Sequence, residues 1–135
     1  MHNKHLIGQT GEKTACAFLM KRGYVISNRN YRKKWGEIDI IATFKGKLHF
    51  VEVKTVSREI TSIKALRVPH ETINDYFRPE ENVHPQKIAR LHRTIESYLI
   101  EKRLKDIVWQ LDVIAVYLDM KSKKARVCMT ENIVL

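Results

Sequence analysis

Cysteine is scarce in this chain: two residues in 135, Cys16 and Cys128, far apart and without a CxxC spacing. A disulfide framework is therefore excluded as the source of stability. Both cysteines sit in apolar surroundings ("ACAFLM" and "RVCMT"), which reads as free buried thiols in a reducing compartment. No apolar run approaches the length that spans a bilayer, and "MHNKHLIGQTGEK" lacks the apolar core of a signal peptide. The expectation is a cytoplasmic protein with no membrane partner. The six histidines show no zinc spacing, and His2 and His5 are terminal. Neither an internal repeat nor a low-complexity tract interrupts the sequence. Residues 1–135 thus read as a single domain, long enough to bury a core without metal or disulfide staples.

Acidic residues are also in the minority. Asp and Glu number 15 against 25 Lys and Arg, a formal net charge of +10. In one small domain such an excess favours a polyanionic partner, nucleic acid first and an anionic membrane second. A basic protein that binds nothing specific is the plainer alternative.

Residues 4–22 read as a helix closed by Gly23, a left-handed stop that follows Lys21 and Arg22. Gly8 and Gly11 inside it each weaken it by about 1 kcal/mol relative to Ala, and suit a place where another backbone or a ligand comes close. "YVISNRNYR", 24–32, reads as a strand, and 36–54 as two more joined at "KG". Residues 56–84, with Pro69, Pro79 and an acidic cluster, read as a short helical turn around 71–77 in an otherwise mobile loop. Pro85 opens a second helix, 85–105, with the stripe Ile88, Leu91, Ile95 and Leu99. "IVWQLDVIAVYL", 107–118, is a strand, and "ARVCMTENIVL" supplies a last strand or two. The order α-β-β-β-α-β-β predicts a mixed α/β domain, a central sheet flanked by helices.

The hairpin "GEIDIIATFKGKLHFVEVK" carries three carboxylates and an amine on the most strand-like stretch of the chain. A two-residue turn at Lys45-Gly46, with Gly supplying a positive φ, fixes the register. Counted outward from it, Asp39 lies opposite Glu52 and Glu37 opposite Lys54, with Cβ atoms about 4.5–5.5 Å apart. Ile38, Ile40 and Ala42 then share the other face with His49, Val51 and Val53. Opposed carboxylates destabilise a sheet unless something neutralises them, and a divalent cation does so economically. Carboxylate oxygens with retained water suit Mg²⁺. Lys54 adds a fixed positive charge on the same side. Charged residues on a solvated strand face are common, and a Glu–Lys rung can be a simple ion pair. Against that, Asp39 and Glu52 are interleaved with Ile and Val.

Asp39, followed by Glu52-Val53-Lys54, resembles the D-x(n)-E-x-K signature of the restriction-endonuclease-like PD-(D/E)XK nuclease superfamily. The run of residues 8–55 narrows the likeness: a Gly-x-x-Gly-Glu helix, Gly-Tyr, Asn-Tyr-Arg, Gly-Glu-Ile-Asp and Val-Glu-Val-Lys. It resembles an uncharacterised bacterial family, the YraN-type family, related to archaeal Holliday junction resolvases. A looser match continues through Lys87 and "LDVIAV". The resemblance implies a restriction-endonuclease-like fold with the hairpin in a mixed central sheet, and adds Glu12 to the acidic site. Glu12 is followed at helical spacing by Ala15, Cys16 and Leu19, which turns it toward the sheet. Glu37, as a group orienting Lys54, and Lys87 rank second. Asp112 also matches, in a structural role. The segment 56–84 is longer and more acidic than the resemblance leads one to expect.

The expectation is thus a Mg²⁺- or Mn²⁺-dependent endonuclease acting on DNA, with branched or junction DNA among its substrates. Asp39, Glu52, the Val53 carbonyl and Glu12 are the metal ligands and, with Lys54, the catalytic group. The metal lowers the pKa of its water and polarises a phosphoryl oxygen, while Lys54 orients the water or stabilises charge on the phosphate. Arg29, Arg32, Lys33, Lys34, Lys87 and Arg90 supply sequence-independent phosphate contacts. By analogy only, a symmetric junction substrate favours a homodimer. Two alternatives stand beside this reading: a non-catalytic nucleic-acid-binding protein on the same scaffold, and a basic interaction protein with an acidic protein partner.

Overall fold

A computed structural model of the chain describes residues 4–57 and 85–133. Helix α1, Lys4–Lys21, ends where expected. Gly23 takes φ 97°, and the Gly23 and Tyr24 N–H groups donate back to the Met20 and Leu19 carbonyls, both at 3.0 Å. Five strands follow: β1 (Val25–Lys33), β2 (Gly36–Phe44), β3 (Lys47–Ser57), β4 (Trp109–Asp119) and β5 (Lys124–Thr130). Helix α2, Pro85–Glu101, lies between β3 and β4 in the chain.

The strands form one sheet in the order β1-β2-β3-β4-β5, antiparallel except for the parallel pair β3–β4. A parallel pair is ordinarily covered on both faces, and here the two helices supply the cover. Ala15, Cys16 and Leu19 of α1 pack on Ile40, Ala42, Val51, Ile114 and Val116. Leu91, Ile95 and Tyr98 of α2 pack on Ile38, Ile41, Phe50 and Leu111. Buried between the layers, β4 is inaccessible from Gln110 to Asp119, and its sequence is apolar without a break from Val113 to Leu118. The mixed sheet with helices on both faces, in the order α-β-β-β-α-β-β, is consistent with a restriction-endonuclease-like fold.

The turn between β2 and β3 is Lys45-Gly46, with φ 50° and 75°, as the register argument required. Two boundaries differ from expectation. Helix α2 stops at Glu101 rather than 105, because Arg103 turns left-handed at φ 54° and the Leu104 N–H donates back to the Leu99 carbonyl at 2.9 Å. That fold-back lets Leu104 pack with the α2-side core. Strand β3 runs on through Ser57, so Val56 and Ser57 belong to the sheet and not to a loop. The helical turn expected around 71–77 lies outside the described residues. Cys16 is buried, Cys128 is half-buried, and both are free thiols.

Gly11 is where α1 touches β3. A Cβ there would lie 1.9 Å from Thr55 Oγ1 and 2.7 Å from Thr55 Cβ, whereas one at Gly8 would meet nothing within 4 Å. The close approach expected of these glycines therefore exists at one of them. Replacing Gly11 by Ala is expected to destabilise the protein by about 1–3 kcal/mol through overpacking. Adding Thr55→Gly should recover part of that loss. Urea melts of both variants check it, and an unchanged midpoint for Gly11→Ala would contradict the contact.

Candidate functional site

Strands β2 and β3 pair only from Phe44↔Lys47 to Ile40↔Val51. Beyond that rung β2 stays with β1 as far as Lys33↔Gly36, while β3 stays with β4 as far as Ser57↔Leu118. The sheet forks there. The expected rungs Asp39–Glu52 and Glu37–Lys54 are therefore not formed. In their place the Val53 N–H donates to Asp39 Oδ2 at 2.7 Å, so a carboxylate takes the donor that the ladder would have used. The fork also breaks the alternation of β2. Ile40 packs toward α1, but Ile38, two residues earlier, packs toward α2 with Ile41, which corrects the expectation of Ile38, Ile40 and Ala42 on one face.

The opening gathers carboxylates from three elements. Glu12 on α1 and Glu37 on β2 are joined through the Asn30 amide. In the orientation that satisfies both, its nitrogen donates to Glu12 Oε1 at 2.6 Å and Glu37 Oε1 at 3.1 Å. Asn30 adopts φ 52° to do so, a conformation Asn tolerates better than most residues. Asp39 and Glu52 lie deeper. Burial raises the Asp39 pKa to about 7; the Val53 hydrogen bond and Lys87 oppose the rise, while Glu12 and Glu37 add to it. Burial, and then the charge of Asp39, push Glu52 well above the usual carboxylate range, against the pull of Lys87 and of the Asp39 backbone N–H. Glu12 is raised as well, by burial and by Glu37. Glu52 keeps some surface as a residue, yet its Oε1 has none and no hydrogen-bond partner. Among the described residues one other buried side-chain atom, the Tyr117 hydroxyl, shares that condition.

A cleft of about 380 Å³ opens onto Glu52. Its rim is basic: Arg32, Lys33 and Lys34 from the end of β1, and Lys87 and Arg90 from α2. Arg32 also pairs with Glu37 at 3.2 Å and Lys33 with Glu101 at 3.1 Å. Of the expected phosphate-binding residues, only Arg29 does not border this cleft; it is exposed on β1, where its charge lowers the pKa of Glu12. Glu37, expected to orient Lys54, holds Arg32 and accepts from Asn30. Lys54 is half-buried on β3, in register with Ala115 of β4.

Asp112 behaves as the structural residue expected. It is completely buried, Oδ2 lies 2.6 Å from His49 Nδ1, and Oδ1 accepts from Gln110 Nε2 at 2.6 Å and from the Asn132 N–H at 2.9 Å. Ligand-type atoms of His49, Asp112 and Glu131 lie within 4.8 Å of one another. No sequence spacing announces that group, since its members come from two strands and the tail after β5. Its carboxylate is already satisfied by hydrogen bonds, unlike that of Glu52. Trp35 at the cleft rim was likewise not singled out by any motif.

The fold and the fork define a mixed α/β protein with an acidic pocket at a split in its central sheet and a basic rim above it. Comparison with known sequences places it more closely. Residues 11–116 match the uncharacterised protein family UPF0102, and the chain belongs to that family, the one the sequence resembled. A UPF0102 protein of Caldicellulosiruptor saccharolyticus is 32% identical over 130 residues, covering 96% of this chain and 98% of the relative. One from Moorella thermoacetica is 36% identical over 120 residues, 89% of this chain and 88% of the relative. No described helix is long and apolar enough to cross a membrane.

The raised Asp39 pKa fixes the sign of a pH dependence. The folded protein holds a proton that the unfolded chain, with its ordinary value of 3.8, releases earlier. Stability from this group is full below the unfolded value and falls as pH rises toward about 7. Thermal melts in EDTA should therefore show the wild type losing stability from pH 5 to pH 8. Asp39→Asn should flatten that decline and gain on the order of a few kcal/mol at pH 8. A wild type that gains stability over this range would contradict the assignment.

Proposed function

We propose that this chain is a metal-dependent nuclease of the PD-(D/E)XK superfamily, hydrolysing phosphodiester bonds in DNA. Its resemblance to archaeal Holliday junction resolvases makes branched or junction DNA the first substrates to try. One observation carries the reading: two half-buried carboxylates of like charge share the fork, and one of their oxygens, Glu52 Oε1, is shielded from water with nothing to accept from. Such an atom costs the fold about 1–3 kcal/mol or more unless a cation reaches it. A protein that only bound nucleic acid would have no use for that arrangement.

The donor set fits Mg²⁺ or Mn²⁺, which take carboxylate and carbonyl oxygens. Asp39 and Glu52 would hold the ion, with the Val53 carbonyl and Glu12 as further ligands. When bound, such a cation supplies Lewis-acid activation of water and of a phosphoryl oxygen. The chain's own groups do the rest. The Val53 N–H fixes Asp39 by one oxygen and leaves its other oxygen to ligate. Glu12 is held in place by the Asn30 amide, which donates to its Oε1. Lys54, on the strand that carries Glu52, stabilises charge that develops on the phosphate. Lys33, Lys34, Lys87 and Arg90 hold the DNA backbone at the rim without reading its sequence.

Cleavage of branched and linear DNA with Mg²⁺ or Mn²⁺ tests this reading. Asp39→Asn and Lys54→Ala should each lower the rate by about a hundredfold or more, while DNA binding stays close to wild type. Equal cleavage by wild type and both variants would end the nuclease assignment. The double variant Lys87→Ala, Arg90→Ala should weaken binding of every sequence alike and reduce the salt slope by about 2.

A further inference from the structure

Trp35 stands at the β1–β2 turn, on the border of the cleft that holds Glu52. It belongs to none of the three hydrophobic clusters, whereas the chain's other tryptophan, Trp109, packs into the α2-side core. Its position is fixed by polar contacts instead. The Arg93 guanidinium lies over the indole at 4.0 Å from the ring centroid, and the indole N–H donates to Ser97 Oγ at 3.2 Å. The neighbouring Gly36 backbone is pressed against α2: a Cβ there would lie 2.4 Å from Thr94 Oγ1 and 3.2 Å from the Arg90 carbonyl. The ring is thus held in place before any ligand arrives, with a cation over one face, on a half-buried residue that lines the cleft.

We propose that Trp35 is a stacking platform for an unpaired nucleobase, so that the substrate enters this cleft as a strand locally freed from its duplex. The inference rests on the reading of the cleft as a nucleic-acid site and deepens it. A held indole outside the core is the feature that single-strand binders use, since every base offers a π-face. The cleft has the right scale. Its 380 Å³ is near the lower end of small-ligand pockets, about 300–1,000 Å³, which suits one nucleotide better than a stacked base pair. Lys34 next to Trp35, and Lys87 and Arg90 of α2, line the same cleft and offer cations to the phosphates that flank that base. Arg93 behind the ring adds a cation–π contribution to whatever stacks in front.

Intrinsic fluorescence tests the proposal on the folded protein. In a Trp109→Phe background Trp35 is the one tryptophan left in the sequence, and excitation at the red edge, where tyrosine does not absorb, reads it alone. An oligo-dT of about 12 nucleotides and a blunt duplex of equal length are titrated with Ca²⁺ in place of Mg²⁺. Single strand should quench Trp35 as it binds, and the duplex should bind, by anisotropy, without quenching. Trp35→Ala should weaken single-strand binding roughly five- to hundredfold, leave duplex affinity and thermal midpoint near wild type, and be largely rescued by Trp35→Phe. Salt-sensitive binding of both DNAs with no quenching, or equal quenching by both, overturns the stacking proposal and leaves the cleft reading intact. Failure of both DNAs to bind overturns the two together.

Discussion

One hydrogen bond, from the Val53 N–H to Asp39 Oδ2, decides how the central sheet ends. Once β2 and β3 part, each keeps its outer neighbour and loses its inner one, and the freed backbone donors must go somewhere. Asp39 takes one of them with its side chain. The same contact fixes the carboxylate between the two strands, within reach of charges carried on both helices. Fork and acidic pocket are therefore one structural feature: the sheet cannot be split here without a polar acceptor, and the acceptor chosen brings its charge into the interior.

That choice sets the electrostatics of the region. Asp39, Glu52 and Glu12 all hold their protons more tightly than free carboxylates do, chiefly because burial disfavours their charged forms. The basic residues around them relieve this only in part: Arg29 and Arg32 lower Glu12 and Lys87 lowers Asp39 and Glu52, each less than burial raises them. Arg32 is committed to Glu37 and Lys33 to Glu101. A basic surface over an acidic floor separates two tasks that one patch could not do together: attracting a polyanion, and holding a cation beneath it.

Much of this was legible in the sequence, where local rules govern. Gly23 ended α1 and Lys45-Gly46 closed the hairpin because positive φ is a local steric matter. Strand β4 was legible as a strand in "IVWQLDVIAVYL". Glu37, Asp39, Glu52 and Lys54 stood out because charge on an apolar strand is costly, and Glu12 was added by the family resemblance. What escaped was decided by pairing. A hairpin register counted from the turn assumes that the ladder continues, and nothing in "GEID" or "EVK" says that it opens after Ile40 and Val51. The switch of Ile38 to the α2 face follows from that opening, while the Arg32–Glu37 pair belongs to the β1–β2 register that continues beside it. The His49–Asp112 pair and the stand of Trp35 against Arg93 join residues some sixty positions apart, which no local pattern reports.

The parallel pairing of β3 with β4 carries a consequence for how the molecule assembles. Strands β1 to β3 are neighbours in sequence and can zip up through short turns, but β3 must wait for β4 to return across more than fifty residues and the whole of α2. Sequence-distant pairings of this kind are the slow events of folding. Asp39 and Glu52 are thus brought together early by a local meander, while Lys87 and Arg90 arrive only with the late crossover. A nascent chain passes through an interval in which its like charges have met and their counter-charges have not, and in that interval protons or free cations are the partners at hand.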